Sequence, residues 1–438
     1  MTQDPVSDLI TREQTRQREK IGLIPSENNT SPEVSSVLSS CLSNKYSEGY
    51  PGRRYYEGNQ IIDEIEVLAQ DRIKKLFGVP YVNVQPYSGS PANLAIYMAL
   101  MQPGDILMGL KLVAGGHLTH GHPKVTASGS FYQSVQYGVG EDAKVDFEAL
   151  QVLAKKHRPK VIVVGNTAYP FLMEFDKFRK IADAVGAWLV ADISHVTGLV
   201  ISGDHPSPVS DADVIMSTTH KTFRGPRGAM IMVTNRGLER DADLGKKIDS
   251  AIIPGLQGGP HNATTAAIAM AAAEASRPEF KKYGHQIRKN ANALTQALQV
   301  AGLKLVGDGT QTHLMVIDLT PFGPGLGLQV AYALDVAGIY ANRNTVPNEP
   351  FSPFYPSGLR VGTPLVTTRG MKEAEMEQIG VWIGRVVELV RDKQLPKVTQ
   401  ARQQFVKEFR AWADEHRQLQ KIKQEVKALT SGFPLFRW

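Results

Sequence analysis

The middle of the chain alternates short, wholly apolar runs with amphipathic stretches, and that alternation limits the folds open to it. Residues 161–164, 187–191, 214–216 and 229–233 carry no charge. A run that is apolar at every position has no side suited to water, so both faces of its strand must be covered. The stretches between have helical periodicity: Asp146 can cap a helix to about residue 157, and Asp176 one that ends at Gly186. Covered strands separated by helices form a mainly parallel α/β sheet. Ligand-handling residues of such sheets collect at the carboxyl ends of the strands. Two titratable residues stand there, Asp192 after one apolar run and Lys221 after the next, in Ser217-Thr218-Thr219-His220-Lys221-Thr222.

Around this centre, residues 7–20 read as a polar helix or arm. Residues 61–77 put Ile61, Ile65, Leu68, Ile73 and Leu76 on one helical face, which Gly78 and Pro80 stop. A small-residue turn at 87–93 leads into an apolar helix, 94–101. Beyond an apolar helix at 263–275, a long one around 280–301 is expected to bridge to a second domain. That domain would hold strands near 303–306 and 314–319, a helix at 328–336 and two C-terminal helices. A chain of 438 residues exceeds one ordinary core. We therefore expect an N-terminal arm (1–22), a large domain (23–283) and a small C-terminal domain (284–438). The string Gly323-Pro324-Gly325-Leu326-Gly327 has no βαβ pattern before it and reads as a plain turn.

Composition removes several function classes. The net charge of +6 is modest for this length and suits small anionic ligands. Bases in the C-terminal helix (Arg402, Lys407, Arg410, Arg417, Lys421, Lys423) alternate with acids, so a solvated face is expected rather than nucleic acid. No apolar stretch approaches the roughly 18 residues of a membrane span. The start, Met1-Thr2-Gln3-Asp4-Pro5, lacks the basic flank and apolar run of a secretory signal. One cysteine, Cys41, excludes an internal disulfide and fits a reducing, cytoplasmic setting.

A lysine at the end of a buried strand can anchor an aldehyde cofactor, although most lysines in such loops are merely exposed. Asp192, Gly225-Pro226-Arg227-Gly228 and Gly258-Gly259-Pro260 supply the remaining parts that pyridoxal phosphate needs: an acid for a ring nitrogen and small-residue loops for a phosphate. Ser88, Gly89 and Ser90 precede an apolar helix and suit a phosphate or an ordinary helix cap. His117, His120 and His122 invite a metal reading, but no acid stands near them and no metal is expected.

Longer strings carry a resemblance. They are Ser26-Glu27-Asn28, residues 44–56 (NKYSEGYPGRRYY), Val84-Gln85-Pro86 with Ser88-Gly89-Ser90, residues 115–121 (GGHLTHG), 218–228, 254–260 and 358–364 (GLRVGTP). In this order the chain resembles the serine hydroxymethyltransferase family. The resemblance implies an aspartate-aminotransferase-like PLP fold type I, with a large domain built on a mainly parallel sheet and a smaller α+β C-terminal domain. It implies transfer of the hydroxymethyl group of serine to tetrahydrofolate, giving glycine and methylenetetrahydrofolate. Pyridoxal 5'-phosphate would be covalently held on Lys221, with tetrahydrofolate as co-substrate.

By the same resemblance, Asp192 faces the ring nitrogen, His117 stacks on the ring and His195 lies by its hydroxyl. Ser88, Gly89, Ser90, Thr167, Thr218 and His220 complete the cofactor contacts. Gly258 and Gly259 would reach the phosphate of a partner copy, which implies a homodimer with shared active sites and leaves pairing into tetramers open. Arg360 would clamp the amino-acid carboxylate, with Ser26, Tyr46 and Tyr56 on the substrate side. Glu48 would manage proton transfer among its tyrosines. Folate would contact Tyr55, Leu112, Gly116, Leu118 and Asn344.

The strings depart from the family at Pro25, Tyr87, Pro91, Ala114, Asn166, Thr167 and Ser194. These departures keep two alternatives open on the same scaffold, a threonine-type aldolase or transaldolase and an α-methylserine hydroxymethyltransferase. A non-catalytic regulatory or nucleic-acid-binding protein is a third reading, against which Lys221, Asp192 and Arg360 argue.

Overall fold

The computed structural model describes residues 4–436. Residues 1–3 of the expected arm and 437–438 of the expected small domain lie outside the described residues. The chain divides into two compact units: residues up to Glu27 together with those from Gln286 onward, and Asn28–His285.

The second unit is built on a seven-stranded sheet. From edge to edge the strands are Tyr81–Asn83, Ala229–Val233, Val214–Thr218, Trp188–Asp192, Val161–Gly165, Ile106–Leu110 and Gln133–Tyr137. Every pair is parallel except the two made by Ala229–Val233. Every residue of Val161–Gly165, Val214–Thr218 and Ala229–Val233 is buried, as unbroken apolar runs require. One face packs on Ala92, Ile96 and Tyr97 of the helix Gly89–Leu100, and on Leu244 and Ile248. Full burial of each isoleucine or leucine side chain among them contributes about 1.5–3 kcal/mol.

The helix at 147–157 is capped as expected, Asp146 accepting the amide of Ala149. The next, Phe175–Val185, is not capped by Asp176: that residue lies in its first turn, where a carboxylate still favours the helix dipole. Gly186 ends it in the left-handed conformation, φ +74°. The helix expected from residue 94 begins at Gly89. Ser88 and the residues after it are thus the cap and first turn rather than a preceding loop. Pro91 fits there because first-turn amides need no intrahelical partner. The strands Ile106–Leu110 and Gln133–Tyr137 escaped the sequence reading. Gln133, Ser134 and Gln136 interrupt the apolar pattern of an edge strand.

In the first unit, a four-stranded antiparallel sheet runs in the order Lys304–Leu305, Leu314–Asp318, Gly358–Gly362, Asn342–Asn344. Its core joins Ile21 and Leu23 to Leu294, Ile317, Leu359, Ile383 and Val426. The N-terminal segment is bound in by strand pairing of Ile21–Gly22 with Ile339–Tyr340. It is bound again by Arg369, whose guanidinium donates to the carbonyls of Lys20 (2.7 Å) and Phe433 (2.6 Å). Three long helices follow the sheet, Glu373–Val390, Arg402–Glu415 and Arg417–Ser431, where two were expected. The single residue His416 separates the last two, too short a break to read from composition. Among the described residues no helix is long and apolar enough to cross a membrane.

Candidate active site

Asp192 ends its strand, and Lys221 follows the neighbouring one by three residues. The Asp192 side chain is only 8% exposed, a costly place for a charge. Four donors offset that cost. Oδ2 receives His120 Nε2 at 3.0 Å and Asn93 Nδ2 at 3.1 Å. Oδ1 receives the amide (3.1 Å) and hydroxyl (2.5 Å) of Ser194. Burial pushes the carboxyl pKa up, but His120, the charge of Lys221 and the Ser194 hydroxyl outweigh it and hold the pKa far below the usual range. Asp192 is therefore an anion at any physiological pH.

His120 and Asn93 were not singled out as partners of Asp192. The one signal for His120 was its place in the histidine-rich string, which invites a metal reading instead. The histidine packs where two glycines leave room: a Cβ on Gly165 would lie 3.0 Å from His120 Cε1, and one on Gly109 would meet the His120 backbone. His117 accepts the Thr119 amide at Nδ1 (3.2 Å), and the Thr119 hydroxyl receives Asn93 Nδ2 at 2.8 Å. The His117 and His120 rings lie 5.5 Å apart.

The loop bearing Lys221 is held along its length. The Lys221 carbonyl accepts Asn28 Nδ2 (2.9 Å) and the Arg224 amide (3.0 Å). The Thr222 hydroxyl donates to the carbonyl of buried His195 at 2.9 Å. The Thr219 hydroxyl donates to the Pro226 carbonyl at 2.6 Å. The Ser194 hydroxyl accepts the Thr218 amide at 3.0 Å, so it joins the ends of the two strands.

Several groups suit a phosphate. Ser88 caps the helix Gly89–Leu100 without a side-chain capping bond, which leaves first-turn amides for an anion. Gly89 abuts Thr218, since a Cβ would lie 2.7 Å from Thr218 Cγ2. Thr218 Oγ1 and His220 Nδ1 are buried with no partner among the described residues. Burial, with the charges of Lys221 and Arg227, lowers the His220 pKa to about 4. Unsatisfied buried donors and acceptors are rare in native proteins, and here they adjoin a helix start and a strand-end lysine. These residues fit pyridoxal phosphate.

A second cluster surrounds Glu48. The Tyr56 hydroxyl donates to Glu48 Oε2 at 2.9 Å, and Tyr46 meets Tyr56 edge-on at 6.0 Å. Gly258 and Gly259 lie beside it: a Cβ on Gly258 would be 3.4 Å from Glu48 Oε1, and one on Gly259 3.0 Å from Tyr46. Tyr46, Tyr55 and Tyr56 are exposed. Tyr87 stacks on His261 at 4.1 Å and donates to the Gly259 carbonyl at 2.7 Å. The Gly115–Gly116 turn is tied to Thr167, whose hydroxyl donates to the Gly116 carbonyl at 2.9 Å. Leu112 and Leu118 flank that turn, Leu118 exposed. In the first unit, Arg360 pairs across the sheet with Asn342 and donates to its Oδ1 at 3.0 Å. Burial lowers its pKa to about 10, which leaves it a cation at neutrality. Asn344 lies two residues along the same strand, and Ser26 is half-buried in the N-terminal segment.

A family model described as serine hydroxymethyltransferase matches residues 1–383. The chain belongs to the serine hydroxymethyltransferase family. Among its relatives, the serine hydroxymethyltransferase of Acidothermus cellulolyticus is 55% identical over 390 residues, 89% of each chain. That of Desulfotalea psychrophila is 49% identical over 416 residues, 94% of this chain and 96% of the relative. That of Phenylobacterium zucineum is 46% identical over 435 residues, 99% of this chain and 95% of the relative. Membership gives the chain the PLP fold type I expected from its strings, and the mainly parallel sheet agrees. It also makes the chain a PLP-dependent transferase of one-carbon units between serine and tetrahydrofolate.

Proposed function

We propose that this serine hydroxymethyltransferase binds pyridoxal phosphate on Lys221 and converts serine and tetrahydrofolate to glycine and 5,10-methylenetetrahydrofolate, reversibly. The observation that carries the residue assignment is Asp192, a buried carboxylate held ionised by four donors at the strand end next to that of Lys221. Bound there, the cofactor supplies an electron sink for bond breaking at the amino-acid α-carbon. The anion of Asp192 would hold a proton on a ring nitrogen. His117 and His195 would hold the ring, and Ser88, Gly89, Ser90, Thr218 and His220 would hold the phosphate. Thr167 fixes the turn beside it.

Arg360 offers a planar fork to the serine carboxylate, which orients the Cα–Cβ bond. Ser26 and Tyr46 assist it. Glu48, hydrogen-bonded to Tyr56, takes and returns the proton of the serine hydroxyl. Tyr55, Leu112, Gly116, Leu118 and Asn344 contact the folate. Gly258 and Gly259 serve a second copy, so the working form is a homodimer with shared sites. The single cysteine suits a cytoplasmic setting.

Borohydride reduction of the purified protein followed by peptide mapping tests the assignment. The cofactor tag is expected on the peptide containing Lys221, and a tag on any other lysine, or none, overturns it. Serine turnover that does not depend on tetrahydrofolate would favour the aldolase alternative.

A further inference from the structure

Glu48 is carried on a hairpin with little regular structure, two strands of two residues each, Gly49–Tyr50 and Arg53–Arg54. A buried charge cluster lies beneath it. The Arg54 side chain is 4% exposed, and its Nε donates to Asp63 Oδ1 at 2.8 Å and its Nη2 to Glu66 Oε2 at 2.6 Å. Its Nη1 donates to the carbonyls of Ser47 and Gly49, both at 2.8 Å. Those two carbonyls flank Glu48. Asp63 and Glu66 belong to the helix Gln60–Phe77, so the guanidinium joins that helix to the carbonyls of the residues before and after Glu48. Gln85 adds a second brace: its Nε2 donates to Glu66 Oε1 (2.8 Å) and to the Gly49 carbonyl (3.0 Å). Gln257, just before Gly258, donates to the Gln85 carbonyl at 2.9 Å and so joins the same frame.

Burying a guanidinium with a carboxylate seldom adds stability over apolar side chains of the same size. What apolar packing cannot supply is a set of donors aimed at two chosen carbonyls. We propose that Arg54, oriented by Glu66 and Gln85, is a positioning residue for the reaction: it fixes the backbone around Glu48 so that its carboxyl meets the substrate proton already in place. The inference rests on the role given to Glu48 above.

Three variants test it. Arg54→Lys keeps the charge and loses the fork. Arg54→Met with Glu66→Met and Asp63→Asn removes the guanidinium and both of its carboxylates together, so that no charge is left without its partner. Glu48→Gln tests the underlying role alone. Both Arg54 variants should lower kcat for serine cleavage about 10- to 100-fold, with the serine KM and cofactor affinity within about threefold of wild type. Amide exchange in the peptide 47–56 should quicken in both and stay unchanged in Glu48→Gln. Wild-type kcat in both Arg54 variants, with an impaired Glu48→Gln, would overturn the positioning role and leave Glu48 standing. Wild-type kcat in Glu48→Gln would remove the role of Glu48, and the inference with it. A fall in kcat that only tracks lost thermal stability, with unchanged exchange in 47–56, would make Arg54 a structural residue and overturn the proposal.

Discussion

His220 shows how one residue beside the anchoring lysine ties the site to pH. Burial and two neighbouring cations keep it neutral in the folded protein, with a pKa of about 4, against about 6.5 in an unfolded chain. Between those values the unfolded state binds the proton and the folded state does not, so stability rises with pH across that window. Lowering the pH from 7 to 5 should thus cost the cofactor-free protein about 2 kcal/mol through this residue alone. Urea unfolding of wild type and His220→Gln at both pH values checks it: the variant should lose less stability on acidification by about that amount, and equal losses would refute it. What was legible is the place of Asp192 and Lys221: one ends an apolar run, the other follows the next run within a few residues, and the structure puts both at strand ends. The partners of Asp192 were not legible, because Asn93 and His120 lie 99 and 72 residues away in sequence. Asn93 lies on the helix Gly89–Leu100 and His120 in a turn beyond the strand Ile106–Leu110, so only the packing of those segments at the strand ends brings them to Asp192.

At the scale of elements, apolar runs and capping residues foretold the central strands and most helices, and the errors fall where a local signal is absent or shared. Residues 88–90 are one such place, since a phosphate turn and a helix first turn use the same small residues. The helix start at Gly89 makes them a cap and first turn, a place that also suits a phosphate, and gives that glycine a task. Any Cβ there would meet Thr218, whose hydroxyl has no partner among the described residues and is one of the groups assigned to the phosphate. Gly89→Ala should therefore raise the dissociation constant for pyridoxal phosphate about 10-fold or more, by moving either the first-turn amides or Thr218. Its melting temperature should stay within a few degrees of wild type, because alanine is the better helix former by roughly 1 kcal/mol and offsets the crowding. Titration of the cofactor-free protein by fluorescence, beside a thermal melt, separates the two effects. Unchanged affinity would detach this helix from the phosphate.

For the whole molecule, the question is which copies of the chain complete one site. Glu48, Tyr46, Tyr56, Gly258 and Gly259 form a single packed block within one chain, with its tyrosines exposed. If Gly258 and Gly259 serve the phosphate of a second copy, Glu48 must travel with them and act there too. Lys221 and Glu48 of one chain would then belong to different sites. Mixing two inactive variants exposes the difference. In a dimer of Lys221→Ala with Glu48→Gln, one site receives both defects and the other receives neither. Random reassortment makes half the dimers mixed, so activity should return to about a quarter of the wild-type value per site. Sites complete within one chain would give no recovery, because every site would keep the defect of its own chain. The assay needs only the two purified variants, a brief dissociation in mild urea and cofactor on refolding, and activity staying at the level of the separate variants would end the shared-site reading while leaving the assignment of Lys221 intact.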